Sequence, residues 1–286
     1  MTSDRARITM RLFARRELLL LVACIVACAV FSLASPYFLT AGNLSTILRN
    51  SVELLIIALG MSLILATAGI DISVGAAMGI CAVFIGFAIQ AGLPWYVVGL
   101  VGPVIGTLLG ILTASAIVFG RVPPIIATLG MYGIYRAAIF LILGGRWIAG
   151  LPGVLDPVVS ATIFGIPVLV FEIVVLYFMG FVVLRWTPLG TALLAIGGNA
   201  QAARLSGINV AKTKFLVYAF TGSLVGFSAM LYVARYRNVE TGIGSTIALD
   251  AIVAAILGGS SILGGKANLV GTALGGHPRR LEHPWR

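Results

Sequence analysis

Residues 52–91 read VELLIIALGMSLILATAGIDISVGAAMGICAVFIGFAIQA, two apolar runs separated by almost no loop. The runs cover residues 52–70 and 72–91, and the short break between them, GIDISVG at 69–75, contains Asp71. Crossing the hydrocarbon layer as a helix takes roughly 20 apolar residues, so each run is long enough to span a membrane. The stretch therefore predicts two membrane helices joined either by a tight cytoplasmic turn or by a break within the membrane.

The rest of the chain repeats this pattern of long apolar segments with short polar gaps. Of its 286 residues, 60% are hydrophobic and 10% are charged, whereas soluble domains carry about 25% charged residues. The sequence therefore predicts an all-α membrane protein, a polytopic helical bundle of about eight transmembrane helices. The six further segments lie at residues 18–35, 95–118, 123–143, 163–184, 214–234 and 246–264.

The distribution of basic residues predicts which side of the membrane each gap faces. If all the segments cross, one set of gaps holds eleven Lys and Arg residues, including five arginines near the N-terminus, and the other set holds four. Because cytoplasmic loops carry the excess of positive charge, we expect the N-terminus inside. The net charge of +10 then needs no nucleic acid partner, since the basic residues form no clustered face. The predicted outside residues are Arg49, Arg146, Arg235 and Arg237.

Small residues inside the apolar segments predict close helix packing rather than chemistry. Gly102, Gly106 and Gly110 are spaced four apart and follow Gly99, a stripe that lets two helices approach closely. The cysteines, Cys24, Cys28 and Cys81, lie in apolar runs with no His or carboxylate near enough in sequence to complete a metal site. We therefore expect neither a metal site nor a disulfide framework.

A few polar residues within the spans are candidates for the translocation path, because ionisable groups are expensive in a membrane and point to function. Asp71 either caps a half-helix or presents its carboxylate to the path, and Asp250 has a cap or interface position as its alternative. Arg136 either pairs with Glu172 across the bundle or each finds a backbone or water partner. Hydroxyl and aromatic groups that could meet a polyhydroxylated solute, or simply pack, complete the set: Ser73, Thr128, Tyr132 and Tyr135.

The longest polar gap, residues 189–214, reads LGTALLAIGGNAQAARLSGINVAKTK and lies on the predicted cytoplasmic side. Its composition predicts a short helix over residues 199–205 with Gly207 as the C-terminal cap. An ordinary connecting loop is the alternative.

Three motifs in order resemble the carbohydrate-uptake family of ABC permeases, the ribose, simple-sugar and autoinducer-2 branch. GGNAQAARLSGINV at 197–210 is similar to the family's cytoplasmic coupling loop, GIDISVG to its early signature, and LDAIVAAILGGSSILGGKANLVGTALGG at 249–276 to its late glycine-rich block. The segment ATLGMYGIYRAAIFLILGGRWIAGLPG at 127–153 resembles autoinducer-2 permeases, whereas RLSGINV is closer to ribose permeases.

The resemblance implies a permease subunit of a binding-protein-dependent importer in the bacterial inner membrane, not an enzyme. Its expected partners are a cytoplasmic ABC ATPase that carries ATP and Mg, a periplasmic solute-binding protein, a second permease copy or sister permease, and membrane lipid. The motif carries the ATPase-coupling role to Gly197, Gly198, Asn199, Ala202, Ala203, Arg204, Ser206 and Gly207.

No catalytic residues or cofactor are expected in this chain. GGSSILGGK at 258–266 looks like a phosphate-binding loop, but Ser260 and Ala267 stand where that loop needs Gly and Ser or Thr. A stand-alone secondary carrier or channel is the alternative function, although we find no convincing internal repeat that would favour it. The sequence leaves open the solute and whether two like or unlike permeases pair.

The domain prediction is a permease domain over residues 1–276 and an atypical tail over 277–286. The tail reads HPRRLEHPWR, which contains prolines and arginines and no apolar run. Compared with the family, the chain is therefore expected to lack the last helices, as a frameshifted or truncated end would produce.

Overall fold

The computed structural model describes residues 22–163 and 166–275. The five N-terminal arginines, the first residues of the predicted first span and the tail at 277–286 lie outside these ranges. The described helices are α1 (Val22–Ala34), α2 (Ala41–Ala66), α3 (Val74–Gln90), α4 (Trp95–Val118), α5 (Pro124–Leu143), α6 (Asp156–Val159), α7 (Val168–Trp186), α8 (Pro188–Gly198), α9 (Ala200–Leu205), α10 (Val210–Tyr236), α11 (Ile247–Leu257) and α12 (Leu269–Gly275).

Five of the described helices, α2, α4, α5, α7 and α10, are long and apolar enough to cross a membrane. Helix α3 is slightly shorter, with 17 residues, and is apolar up to its last residue, Gln90. The structure therefore confirms a helical membrane protein. The described strands are β1 (Thr162–Ile163) and β2 (Ile166–Pro167), which form a small antiparallel hairpin ahead of α7.

Helix α2 lies at the centre of the bundle. Every residue from Ser51 to Ala66 is buried, and the helix contacts α7, α10 and α11. A helix that is hydrophobic on all sides is stable only where protein or lipid covers all of it. Helix α7 is the opposite case, because only Leu169 and Gly180 are buried in it. It therefore lies at the periphery of the bundle formed by the described helices.

The predicted glycine stripe of α4 packs closely against α10. A Cβ atom added to Gly106 would clash with the carbonyl oxygen of Gly222 in α10, and Gly102 meets Gly226 in the same way. One turn further, Gly110 lies against the backbone of Tyr218. The prediction of tight packing is confirmed, because only residues without a side chain allow these backbones to touch.

A non-helical segment, residues 237–246, lies along one face of α3. Val239 forms a bridge with Ile148, and its side chain contacts the position of Gly86. Further along, the carbonyl oxygen of Gly244 would clash with any Cβ at Gly75. Non-helical backbone at membrane depth must be buried in protein or line a wet cavity, and the small residues of α3 let the segment pack closely.

Two predicted spans differ from the structure. The segment at 246–264 is not a single span, because α11 has 11 residues and ends at Leu257. Gly258 is its C-cap, and Gly259 then adopts a φ of +100° that L side chains rarely adopt. At 1.5 Å per residue, α11 covers roughly 16 Å of a hydrocarbon layer about 30 Å thick. The segment at 163–184 begins as the hairpin, and its helix starts at Val168, directly after Pro167.

Residues from the predicted outside gaps meet at one end of the bundle. The guanidinium of Arg235 bonds to the backbone oxygen of Arg49, and the backbone oxygen of Arg237 accepts a 3.1 Å hydrogen bond from the N–H of Leu151. Elsewhere the N–H of Gly265, which follows the last predicted span, donates a 3.0 Å hydrogen bond to the backbone oxygen of Ala66, near the predicted inner end of the span 52–70. This grouping agrees with the gaps assigned by the charge count.

Candidate functional site

The break between α2 and α3 is buried and holds the first candidate residue, Asp71. Helix α2 ends at Ala66, and Ala68 adopts a left-handed φ of +58° that turns the chain. Asp71 is 4% exposed, and its Oδ1 accepts hydrogen bonds from the Ser73 N–H at 2.8 Å and the Ser73 hydroxyl at 2.6 Å. Asp71 therefore bonds to Ser73, the residue directly before α3 and its N-cap, and is not itself the N-cap residue. A place on the translocation path stays a prediction.

A chain of buried hydroxyl groups leads from this break across the bundle. The Ser73 hydroxyl lies 3.5 Å from that of Thr113 in α4, which lies 3.1 Å from the hydroxyl of Tyr135 in α5. Tyr135 donates in turn to the backbone oxygen of Leu109 at 2.9 Å. The break, α4 and α5 are thereby joined by polar contacts, and Tyr135 is held by protein groups.

Two further residues complete the polar surroundings of the break. The Thr128 hydroxyl is within 3.3 Å of the backbone oxygen of Ile70. Tyr218, which is 1% exposed, places its hydroxyl beside Gly69, and that hydroxyl has no hydrogen-bond partner among the described residues. The sequence analysis predicted Asp71 and Thr128 as candidates but missed Thr113 and Tyr218. The feature that could have indicated these two residues is a polar group within an apolar run.

The remaining path candidates lie apart from this cluster. Arg136 donates from Nη1 to the backbone oxygen of Thr241 at 2.9 Å, and its guanidinium carbon lies 5.4 Å from the ring centre of Tyr132. The alternative of an Arg136–Glu172 pair is wrong, because neither ion pair found in the described ranges joins these residues. Asp250 lies in the first turn of α11, whose N-cap residue is Thr246, and is half-buried, so its place on the path and its interface alternative both stay predictions.

The candidate coupling loop contains the predicted short helix. Asn199 caps α9, since its side-chain oxygen accepts the N–H groups of Gln201 at 2.9 Å and Ala202 at 3.0 Å. The helix closes at Gly207, whose φ is +84°, and the N–H of Ile208 bonds back to Ala203 at 3.0 Å. The prediction of a short helix with a glycine C-cap is confirmed.

The loop residues divide into an exposed group and an inward group. Ala203 is buried against neighbouring apolar side chains, and Gly197 packs against the backbone of Ala66, so these two support the loop. The exposed members are Gly198, Asn199, Ala202, Arg204, Ser206 and Gly207. Leu205, which sequence reasoning missed, is 85% exposed. The feature that could have indicated Leu205 is the position of an apolar residue next to Arg204 in a largely polar loop.

At the opposite end, a second polar cluster joins α2 to α10. Arg235 pairs with Glu53 at 2.6 Å and donates to the side-chain oxygen of Asn50 at 2.5 Å. Glu53 is 2% exposed, so this is a buried ion pair. Because removal of one member would leave a buried charge, the pair fixes the relative positions of the two helices.

Comparison with known proteins identifies the family. A model described as "branched-chain amino acid transport system / permease component" matches residues 43–277. The chain belongs to this permease family. The matched region runs from α2 to beyond α12 and includes both the helix break and the candidate coupling loop.

Individual relatives agree with the resemblance seen in the sequence. An autoinducer 2 import system permease protein of Enterobacter sp. (strain 638) is 34% identical over 264 residues, which is 92% of this permease and 77% of the relative. A ribose import permease protein of Haemophilus influenzae is 33% identical over 258 residues, 89% of this chain and 80% of the relative. The ribose import permease protein of Escherichia coli K12 is 34% identical over 269 residues, with 89% and 81% covered. No solved structure matches.

The prediction of a carbohydrate-uptake ABC permease is thereby confirmed. The permease is a multi-pass membrane protein and a transport subunit.

Proposed function

We propose that this permease imports a sugar or a sugar-like solute as the membrane subunit of an ABC importer in the inner membrane. Its relatives include ribose and autoinducer 2 import permeases, which supports a small hydroxyl-bearing solute. In this proposal a periplasmic binding protein delivers the solute, a cytoplasmic ATPase with ATP and Mg drives uptake, and a second permease copy or sister permease completes the pathway.

The observation that carries the proposal is the position of the coupling loop against the helix break. Helix α9 exposes Arg204 and Leu205, an ionic group beside an apolar one, as a partner-binding surface requires. Behind it, Gly197 touches the end of α2 at Ala66. An ATPase bound to α9 would therefore press on the segment that leads to Asp71.

The proposed coupling path continues through the buried hydroxyl groups. From Asp71 and Ser73 the polar contacts pass to Thr113 in α4 and Tyr135 in α5. Movement of the loop would be passed from the first turn of α3 to α4 and α5, because these groups are linked by hydrogen bonds. A contiguous chain of contacts suggests such coupling, and variants along it must test it.

The test is uptake by the assembled importer. The permease would be produced with its candidate ATPase and binding protein, reconstituted in vesicles, and supplied with labelled D-ribose or autoinducer 2. We expect uptake of at least one solute that requires ATP on the cytoplasmic side and the binding protein on the other. Uptake that continues without ATP and without the binding protein would instead identify a stand-alone carrier or channel.

A further inference from the structure

A cavity of about 100 Å³ opens between α2, α3, α10 and the segment that precedes α11. Its inner wall is formed by Glu53 and Met78, which are 2% and 1% exposed. At its mouth stand Tyr236, which is 44% exposed, and the exposed residues Ser245 and Thr246. The cavity thus runs from an accessible mouth to a buried carboxylate, at the end of the bundle opposite the coupling loop.

The cavity wall combines aromatic rings with hydroxyl and carboxylate groups. Tyr232 and Tyr236 are one turn apart on α10, and their ring centres are separated by 4.5 Å. Ser245 and Thr246 add hydroxyl groups from the non-helical segment, opposite the carboxylate of Glu53. Small-molecule sites have this composition, with aromatic walls and a few placed polar groups. The polar groups here suit the hydroxyls of a sugar-like solute, and the rings suit its C–H faces.

A purely structural role for Glu53 explains less of this arrangement. Arg235 does not depend on Glu53 alone, since it also bonds to the Asn50 side chain and to the backbone of Arg49. Glu53 lines the cavity, although an ion pair needed only for packing could be sealed between helices. Non-helical backbone at membrane depth is tolerated where it lines a wet cavity, and residues 244–246 fit that condition. An ionisable residue in a spanning helix also points to function.

We propose that this cavity is a subsite for the hydroxyl-bearing end of the transported solute. The binding groups are Glu53, Tyr232, Tyr236, Ser245 and Thr246, none of which was among the path candidates predicted from the sequence. Complete ligand pockets measure roughly 300–1,000 Å³, so a cavity of this size holds one end of the solute. The subsite rests on the proposed function, and it places the first contact with the permease on the side where the solute arrives.

The first test uses variants that leave the helices intact. Thr246→Val and Ser245→Ala remove exposed hydroxyl groups, and Tyr232→Leu removes one ring. Their matched controls are Thr46→Val, an exposed threonine at the start of α2, and Tyr96→Leu, an exposed tyrosine at the start of α4. With saturating binding protein, we expect Thr246→Val to lower the rate of D-ribose or autoinducer 2 uptake about fivefold, the worth of one hydrogen bond. The controls should keep the wild-type rate.

The second test asks whether the solute occupies the cavity. Thr246→Cys and Thr46→Cys would be made in a chain with Cys24→Ser and Cys28→Ser, leaving only the buried Cys81 among the native cysteines. A membrane-impermeant maleimide added from outside should label both introduced thiols. Excess D-ribose or autoinducer 2, whichever the wild type transports, should slow labelling at position 246 and not at position 46.

The outcomes separate the subsite from the proposed function. Wild-type uptake with unchanged rates in the Thr246, Ser245 and Tyr232 variants, or labelling at position 246 that the transported solute does not slow, would overturn the subsite alone. Uptake of neither D-ribose nor autoinducer 2 by the wild-type importer would overturn the proposed solute class and the subsite with it.

Discussion

Gly197 and Ala66 touch through their backbones, since a Cβ atom on Gly197 would clash with the carbonyl oxygen of Ala66. The same oxygen accepts the N–H of Gly265 at 3.0 Å. Three distant parts of the sequence therefore meet at one carbonyl group: the candidate coupling loop, the end of α2 and the late glycine-rich block. Two of the three family motifs in the sequence, those at 197–210 and 249–276, therefore meet here. The third, GIDISVG at 69–75, begins just after the end of α2.

The first prediction concerns the close approach at Gly197. Gly197→Ala places a methyl group against two backbones and should lower the free energy of unfolding by about 1–3 kcal/mol, the usual cost of overpacking. Gly198→Ala is the matched control, because nothing lies within 4 Å of a Cβ at that position. Thermal unfolding of the detergent-solubilised permease measures both. Equal unfolding temperatures for the two variants would contradict the close packing.

The second prediction concerns the exposed side of α9. Arg204→Glu reverses a charge on the surface proposed to bind the ATPase, so uptake and stimulation of ATP hydrolysis should both fall at least tenfold while membrane insertion is unchanged. Arg204→Lys keeps the charge but loses the planar guanidinium, and we expect an intermediate loss. Wild-type uptake and ATPase stimulation in the Arg204→Glu variant would remove the loop from the proposed interface.

Sequence patterns were sufficient where one local rule determined the structure. Apolar run length located the spanning helices. Asn199 and Gly207 marked the two ends of α9 because capping depends on residues a few positions apart. The glycines of α4 signalled a close contact, although the sequence did not say that α10 was the partner.

The remaining features depend on contacts between distant residues. The segment at 246–264 has the composition of a span, and hydrophobicity alone does not distinguish one long helix from α11 followed by a glycine turn. Thr113 and Tyr218 are distant from the helix break in the sequence, and Thr113 is more than 40 positions from Asp71. Folding brings both residues to the break, so only the structure reveals them as candidates. In the same way, Glu53 and Arg235 are 182 positions apart and meet as an ion pair.

The third prediction tests the glycine contact between α4 and α10. Gly106→Ala should destabilise the permease, because its methyl group would clash with the backbone of Gly222 and separate the helices. Gly99→Ala is the matched control on the same helix, where the nearest atom, the Met230 sulfur, would be 3.7 Å from the new Cβ. Both variants pay no helix-propensity penalty, since alanine favours helix over glycine. Thermal unfolding should show a loss for Gly106→Ala only, and a similar unfolding temperature for both would count against the contact.

The fourth prediction concerns Asp71, the buried carboxylate at the helix break. Asp71→Leu removes the acceptor of both the N–H and the hydroxyl of Ser73, and a buried N–H left without a partner costs about 1–3 kcal/mol. Asp71→Asn keeps a side-chain oxygen in the same place, so it should retain the hydrogen bonds to Ser73 and lose less stability. Asp156→Asn is the control, because its ion pair with Arg237 is exposed and worth about 0–1 kcal/mol.

The measurements for Asp71 separate its hydrogen bonds to Ser73 from a role in transport. Unfolding temperature should fall in the order Asp156→Asn, Asp71→Asn, Asp71→Leu, with the largest loss for leucine. If the bonds to Ser73 are the whole role of Asp71, Asp71→Asn should retain both its fold and its uptake. Loss of uptake in a well-folded Asp71→Asn permease would instead place the negative charge on the translocation path. A freely labelled thiol in Asp71→Cys would contradict the buried position itself, because the reagent cannot reach a group packed between α2 and α3.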